Sequence, residues 1–166
     1  MSLTIATDTD LAEVVALANL AYRGGDHAGW TREDYIGGDR TTVDELRADI
    51  AAKPEARLML LRDGGTLLGT VWIEPAGEGA WYLGLLTVRP DLQAGGIGRR
   101  LLEGAEDAAR ALGGRTMRMT VVHIRDTLIA WYQRRGYALT GETLPFPYGD
   151  PPRDDLSFVV LEKALI

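Results

Sequence analysis

The sequence predicts one α/β domain, a mixed and mostly antiparallel sheet of about seven strands flanked by about four helices. Three observations carry that prediction. The chain has 166 residues, 46% of them hydrophobic, a size at which one core suffices, so residues 1–166 read as a single domain. Apolar residues recur at helical spacing early in the chain and then switch to strand-like runs. A strand–helix–strand passage in the middle requires two parallel neighbours joined by a right-handed crossover.

Taken in order, Leu3 to Ala6 is a short candidate strand. Asp10 to Tyr22 follows as a helix, with Leu11, Val14, Val15, Leu17, Ala18 and Ala21 on one face and Asp10 with Glu13 as its cap. From Arg23 to Arg40 the pattern dissolves into glycines mixed with Asp26, His27, Trp30, Glu33 and Tyr35. That is long for a plain connection and points to a functional loop carrying its own short helix. Thr42 and Glu45 form a capping box for a helix that Pro54 ends near Lys53. Ala56 to Arg62, Thr66 to Glu74 and Ala80 to Val88 are strand runs, the first two joined by the hairpin signal Asp63-Gly64-Gly65. After Gly98 an amphipathic helix places Leu101, Leu102, Ala105, Ala108, Ala109 and Leu112 on one stripe, and Gly113-Gly114 stops it. Thr116 to Val122 alternates as a strand, Asp126 to Arg135 is a helix capped by Gly136, and Tyr137 to Thr140 and Leu156 to Lys163 complete the sheet around a Pro-rich loop, Leu144 to Asp155.

Composition excludes whole classes of function. A net charge of −6 argues against nucleic acid and anionic membrane as partners, both of which recruit Lys and Arg. With no cysteine and two histidines there is no thiol nucleophile, no Cys-rich zinc site and no metal site to expect. The first residues lack the apolar run of a signal peptide and no stretch reaches the length of a membrane span, so the expected location is the cytoplasm.

The strongest chemical signal is the passage Leu85-Leu86-Thr87-Val88-Arg89-Pro90-Asp91-Leu92-Gln93-Ala94-Gly95-Gly96-Ile97-Gly98-Arg99-Arg100. Glycines stand where a strand turns into a helix, whose first N–H groups and dipole suit an anion. On spacing alone, a ligand-free tight turn and a phosphate cradle both stay open. The Walker pattern lacks its Lys-Ser/Thr, and the spacing does not supply a Rossmann fingerprint.

Gln93-x-x-Gly96-x-Gly98, after Leu86-Thr87-Val88-Arg89-Pro90, resembles the acetyl-CoA signature of the GNAT superfamily of N-acetyltransferases. A second segment, Trp131-Tyr132-Gln133-Arg134-Arg135-Gly136-Tyr137, is similar to that family's aromatic-Tyr-x-x-x-Gly-aromatic motif, and the element order agrees over essentially the whole chain. The resemblance implies a parallel strand pair at the cofactor site and acetyl-CoA as cosubstrate, with no metal. It implies that backbone N–H groups of Gln93, Ala94, Gly95, Gly96, Ile97, Gly98 and Arg99 hold the diphosphate, and that Leu86 and Val88 pair with the pantetheine arm, one N–H polarising the thioester carbonyl. Thr120 and its neighbours would line the other wall of the splayed pair. Tyr132 matches the family's acid, which protonates the leaving sulfur; the competing reading is aromatic packing.

The sequence departs from the family at the base, because Trp81-Tyr82-Leu83-Gly84-Leu85-Leu86 carries no glutamate where many relatives have one. His123, Glu74 and the loop residues Asp26, His27 and Glu33 are the alternatives, with a water chain beside them. Arg125 stands where relatives often have Asn. For the acceptor, Trp30, Glu33 and Tyr35 in the long loop and Phe146 and Tyr148 in the Pro-rich loop, which also contains Asp150, are candidates, with Asp26, Glu33, Asp34 and Asp39 to hold a cationic amine. The expected reaction is direct acetyl transfer to a primary amine of a small molecule or peptide. The alternative is a non-catalytic acyl-CoA-binding or sensing domain. Exposed aromatic residues fit an acceptor pocket or a homodimer interface.

Overall fold

The computed structural model describes residues 3–23, 41–146 and 154–165. Four α-helices and seven strands follow one another as β1 (Leu3–Ile5), α1 (Leu11–Arg23), α2 (Val43–Ala52), β2 (Arg57–Asp63), β3 (Thr66–Gly77), β4 (Ala80–Val88), α3 (Ile97–Ala111), β5 (Thr116–Val122), α4 (Asp126–Gln133), β6 (Ala138–Pro145) and β7 (Ser157–Ala164). The sheet runs β1-β2-β3-β4-β5-β7-β6. Among the described residues only β4 and β5 are parallel; every other neighbouring pair is antiparallel. The fold is therefore the mixed α/β arrangement expected.

Two cores lie against the sheet. Met59, Leu61, Val71, Ile73, Trp81, Leu83, Met117 and Met119 pack with Leu101, Leu102, Ala105 and Ala109 of α3. Leu58, Leu60, Leu67 and Trp72 pack with Leu11, Val14 and Leu17 of α1 and Leu46 of α2. Successive strand residues thus feed opposite cores, as the two-residue period of a strand requires. Among the described residues no helix is long and apolar enough to cross a membrane.

The differences from expectation are local. Thr7, not Asp10 with Glu13, makes the first cap, on a 3-10 turn (Asp8–Asp10) ahead of α1: its N–H donates to Asp10 Oδ2 at 2.8 Å. The other oxygen of Asp10 and the carboxylate of Glu13 clasp Arg62 at 2.9 and 2.8 Å, so Asp10 serves the cap and a long-range ion pair together. Thr42 does cap α2, its hydroxyl accepting from Glu45 N–H at 3.1 Å. β3 and β6 run past their expected ends, to Gly77 and Pro145, because each is zipped to a partner strand. In α3 the stripe bends: Leu112 is 46% exposed, while Glu106 is buried at 3%. The short helix expected within 24–40 lies outside the described residues.

Candidate functional site

The site grows from the parallel pair β4–β5. β4 and β5 are matched at Ala80↔Thr116, Trp81↔Met117 and Tyr82↔Arg118, and no pairing continues beyond, although both strands do. Just past the last pair, the Tyr82 hydroxyl lies 3.1 Å from Thr120 Oγ1. The C-terminal halves of the two strands are left with backbone that their mutual ladder does not use.

A bulge turns β4 at the same level. Against β3 the register jumps from Thr70↔Thr87 to Trp72↔Gly84, so one residue, Val71, stands opposite two, Leu85 and Leu86. Leu85 adopts φ +49°, a left-handed conformation that costs a branched residue energy. Its carbonyl is held by two hydroxyls, Thr70 Oγ1 at 3.0 Å and Thr87 Oγ1 at 3.3 Å, and both threonines are fully buried. The strained residue is thus clamped from inside, at the point where the expected pantetheine-pairing residues Leu86 and Val88 begin.

Beyond β4, a 3-10 segment (Pro90–Gly95) carries Gln93 and Ala94 and leads to Gly96, whose φ of +80° makes the kink into α3. Arg100 N–H donates to Gly96 O at 3.2 Å, so the N–H groups of Ile97, Gly98 and Arg99 stand ahead of the helical ladder. A Cβ on Gly95 or Gly96 would meet nothing within 4 Å. The space beside both glycines is open, next to the N-terminal N–H groups and dipole of α3. Gly98 is different. A Cβ there would stand 3.5 Å from Val88 and 3.5 Å from Trp131, in ordinary contact, so this glycine marks where α4 packs against the first turn of α3.

Through that contact α4 brings in Tyr132. The residue is 5% exposed and belongs to the core cluster of Val88, Ile97 and Leu101. Its ring meets Trp131 edge-on, centroids 5.1 Å apart at 81°, and Tyr137 at 5.8 Å and 69°. Tyr137 is committed elsewhere: its hydroxyl donates to Glu106 Oε2 at 2.8 Å, and Lys163 Nζ reaches both oxygens of Glu106 at 3.1 and 3.2 Å. Burial first, and then the Glu106 charge, push the Tyr137 phenol well above its ordinary range, keeping it protonated.

Of the other candidates, His123 ties β5 to β7. Its backbone N–H donates to Ser157 O at 2.8 Å, and its ring Nδ1 lies 3.2 Å from Ser157 N and 3.3 Å from Ser157 O. Phe146 is buried in a small core with Val122, Leu156 and Phe158. Trp30, Glu33, Tyr35 and Tyr148, together with Asp26, His27, Asp34, Asp39 and Asp150, lie outside the described residues. On the sheet face turned away from α3, a groove of about 400 Å³ is lined by Glu74, Tyr82, Arg118, Thr120, Glu142 and Val160. Lys53 Nζ lies 3.0 Å from Glu74 Oε2. Among the described residues there is no group of three or more His, Asp or Glu arranged to hold a metal.

Sequence reasoning missed the Thr70–Leu85–Thr87 clamp and the Glu106–Tyr137–Lys163 cluster. The first has no local signal, since it depends on β3. The second had one: Glu106 follows Ala105 and stands four residues after Leu102, inside the apolar arc.

The chain is similar to known proteins in sequence and in fold. The Acetyltransferase (GNAT) family profile matches residues 26–137, more than half of the chain. The chain belongs to the GNAT acetyltransferase family. An "IAA acetyltransferase" of Azospirillum brasilense is 39% identical over 103 residues, covering 61% of this chain and 65% of that protein. An "Amino-acid acetyltransferase" of Ralstonia nicotianae is 33% identical over 123 residues, 68% of this chain and 26% of that protein. The chain thus spans less than two thirds of the length of these curated relatives. Among solved structures, Ard1 from Thermoplasma volcanium aligns with a TM-score of 0.77 at 16% identity, over 99% of this chain and 97% of that one. The yncA protein from Salmonella typhimurium, solved with its cofactor acetyl-CoA, aligns at 0.73 and 20% identity, over 100% and 94%. At these identities the likeness speaks for the GNAT fold.

Proposed function

We propose that the chain is an N-acetyltransferase that moves an acetyl group from acetyl-CoA to a primary amine of a small molecule or peptide, both substrates being bound together. The observation that carries this reading is the open, side-chain-free space at Gly95 and Gly96, on the turn that follows β4 and that Gly98 brings against Trp131 of α4, next to Tyr132. Bound acetyl-CoA supplies an activated acetyl thioester. Backbone N–H groups of residues 93–99 hold the diphosphate, and the Leu86 and Val88 backbones align the arm along β4. Tyr132 donates the proton that the departing thiolate needs. It is the better acid of the two phenols, because Tyr137 already gives its proton to Glu106.

The base is read from the groove. His123 would act through the Nδ1 lone pair that Ser157 N–H now takes, whereas Glu74 lines the groove directly opposite Tyr82 in the β3–β4 register. Glu74, with a water between it and the amine, is therefore preferred to His123. The loop residues Trp30, Glu33, Tyr35 and Tyr148 would supply acceptor contacts. The protein would act in the cytoplasm, away from nucleic acid and membrane.

The test is thiol release from acetyl-CoA against a panel of amines. Amine-dependent release is expected, with a loss of about a hundredfold in Tyr132→Phe and unchanged acetyl-CoA affinity. The absence of a β4 glutamate favours one second reading, the acyl-CoA sensor. Binding without thiol release, for every amine tried, would favour it.

A further inference from the structure

Arg99 stands in the first turn of α3, and Arg134 and Arg135 stand just past the end of α4. The Arg135 guanidinium lies 4.0 Å over the Trp131 ring, and its Nη1 donates to the Trp131 carbonyl at 2.9 Å. The benzo edge of the same indole lies 3.5 Å from where a Cβ on Gly98 would stand, so Trp131 carries Arg135 beside the first turn of α3. Arg135 Nε is buried without an acceptor among the described residues. Arg134 is exposed beside it, and Arg99 is also exposed, its Nε bonded to Glu103 Oε1 at 2.9 Å. Burial weakens the proton affinity of Arg135, and the charges of Arg134 and Arg99 weaken it further, against the opposing pull of Glu103.

Three mutually repelling guanidiniums against one carboxylate are unusual in a chain of net charge −6. No core contact requires Arg99 or Arg134 there, since both side chains face solvent. Arginine forks match phosphate oxygens, and a phosphate monoester would relieve the repulsion. The cofactor has one to offer: besides its diphosphate, the nucleotide of coenzyme A carries a monoester phosphate on the ribose.

We propose that Arg99, Arg134 and Arg135 form a second anion subsite, which binds the ribose phosphate of coenzyme A while the glycine turn binds the diphosphate. This rests on the reading of the turn as the cofactor's seat. The subsite makes the protein discriminate coenzyme A from its dephospho form by charge.

The experiment is calorimetric titration of the full chain with acetyl-CoA and with acetyl-dephospho-CoA, which lacks that phosphate alone. Acetyl-CoA is expected to bind at least about tenfold more tightly, the worth of one charge-assisted hydrogen bond. Arg134→Gln, an exposed change that leaves packing untouched, should shrink that ratio, and Arg134→Gln/Arg135→Gln should bring it to within about twofold of unity. In both variants the loss should fall on acetyl-CoA alone. Equal affinity of the wild type for the two ligands would overturn the subsite, as would a ratio unchanged in the double variant. If neither ligand binds, it is the glycine-turn reading that fails, and the subsite with it.

Discussion

Three residues beneath the site, Glu106, Tyr137 and Lys163, behave as one unit, because each buried polar group is satisfied by another. Glu106→Ala should cost about 3 kcal/mol, since it strands a buried phenol and an ammonium, and should lower Tm by about 6–12 °C. Tyr137 gives the molecule a pH dependence of known sign. Its folded pKa lies above the unfolded value near 10, so its contribution is complete below that pH. The contribution is lost as pH rises further, because the unfolded chain sheds a proton that the folded one keeps. Urea midpoints between pH 9 and 11 should fall more steeply for the wild type than for Tyr137→Phe; parallel profiles would contradict the assignment. Thr70→Val removes one of the two hydroxyls on the Leu85 carbonyl without changing volume. It should lower kcat at least about tenfold, with Thr70→Ser restoring it, if the bulge positions the reacting carbonyl. At this scale little was legible. The place of Glu106 in the apolar arc of α3 is visible in the sequence, but its partners Tyr137 and Lys163, and the role of Thr70, are set by chain far away in sequence.

At the scale of elements, the glycine turn divides into parts with different demands. Gly96 is required by its φ of +80°, and Gly96→Ala should cost about 1–2 kcal/mol. Gly95 carries no such demand, and the space beside it is empty. Gly95→Val should therefore keep the wild-type Tm within about 2 °C while weakening acetyl-CoA at least about tenfold. A fall in stability with unchanged affinity would make the position structural. The helices and strands were largely legible, since periods of two and 3.6 residues are local properties. Thr42 capped its helix as its spacing required. The bulge in β4 was not legible, because Leu85 and Leu86 sit within an apolar run and only the β3 register sets them out of line.

For the whole molecule, the sheet order β5-β7-β6 places the last strand between two earlier ones. Nothing local to Ser157–Ala164 announces that insertion; it is what carries Lys163 to Glu106 and Ser157 to His123. The parallel pair was legible, because a strand–helix–strand unit with right-handed crossover admits little else. The glycine turn was legible because its signal, the absence of side chains, is local. Of the acceptor candidates, Phe146 lies in a small core and the rest lie outside the described residues. The central claim is that the turn from Gln93 to Arg99 seats the diphosphate of acetyl-CoA. Its most direct test is calorimetric titration of the wild type with acetyl-CoA and with acetyl-pantetheine, which keeps the thioester arm and lacks the diphosphate. One acetyl-CoA should bind per chain, with acetyl-pantetheine at least about a hundredfold weaker; equal affinities, or no heat from acetyl-CoA, would contradict the account.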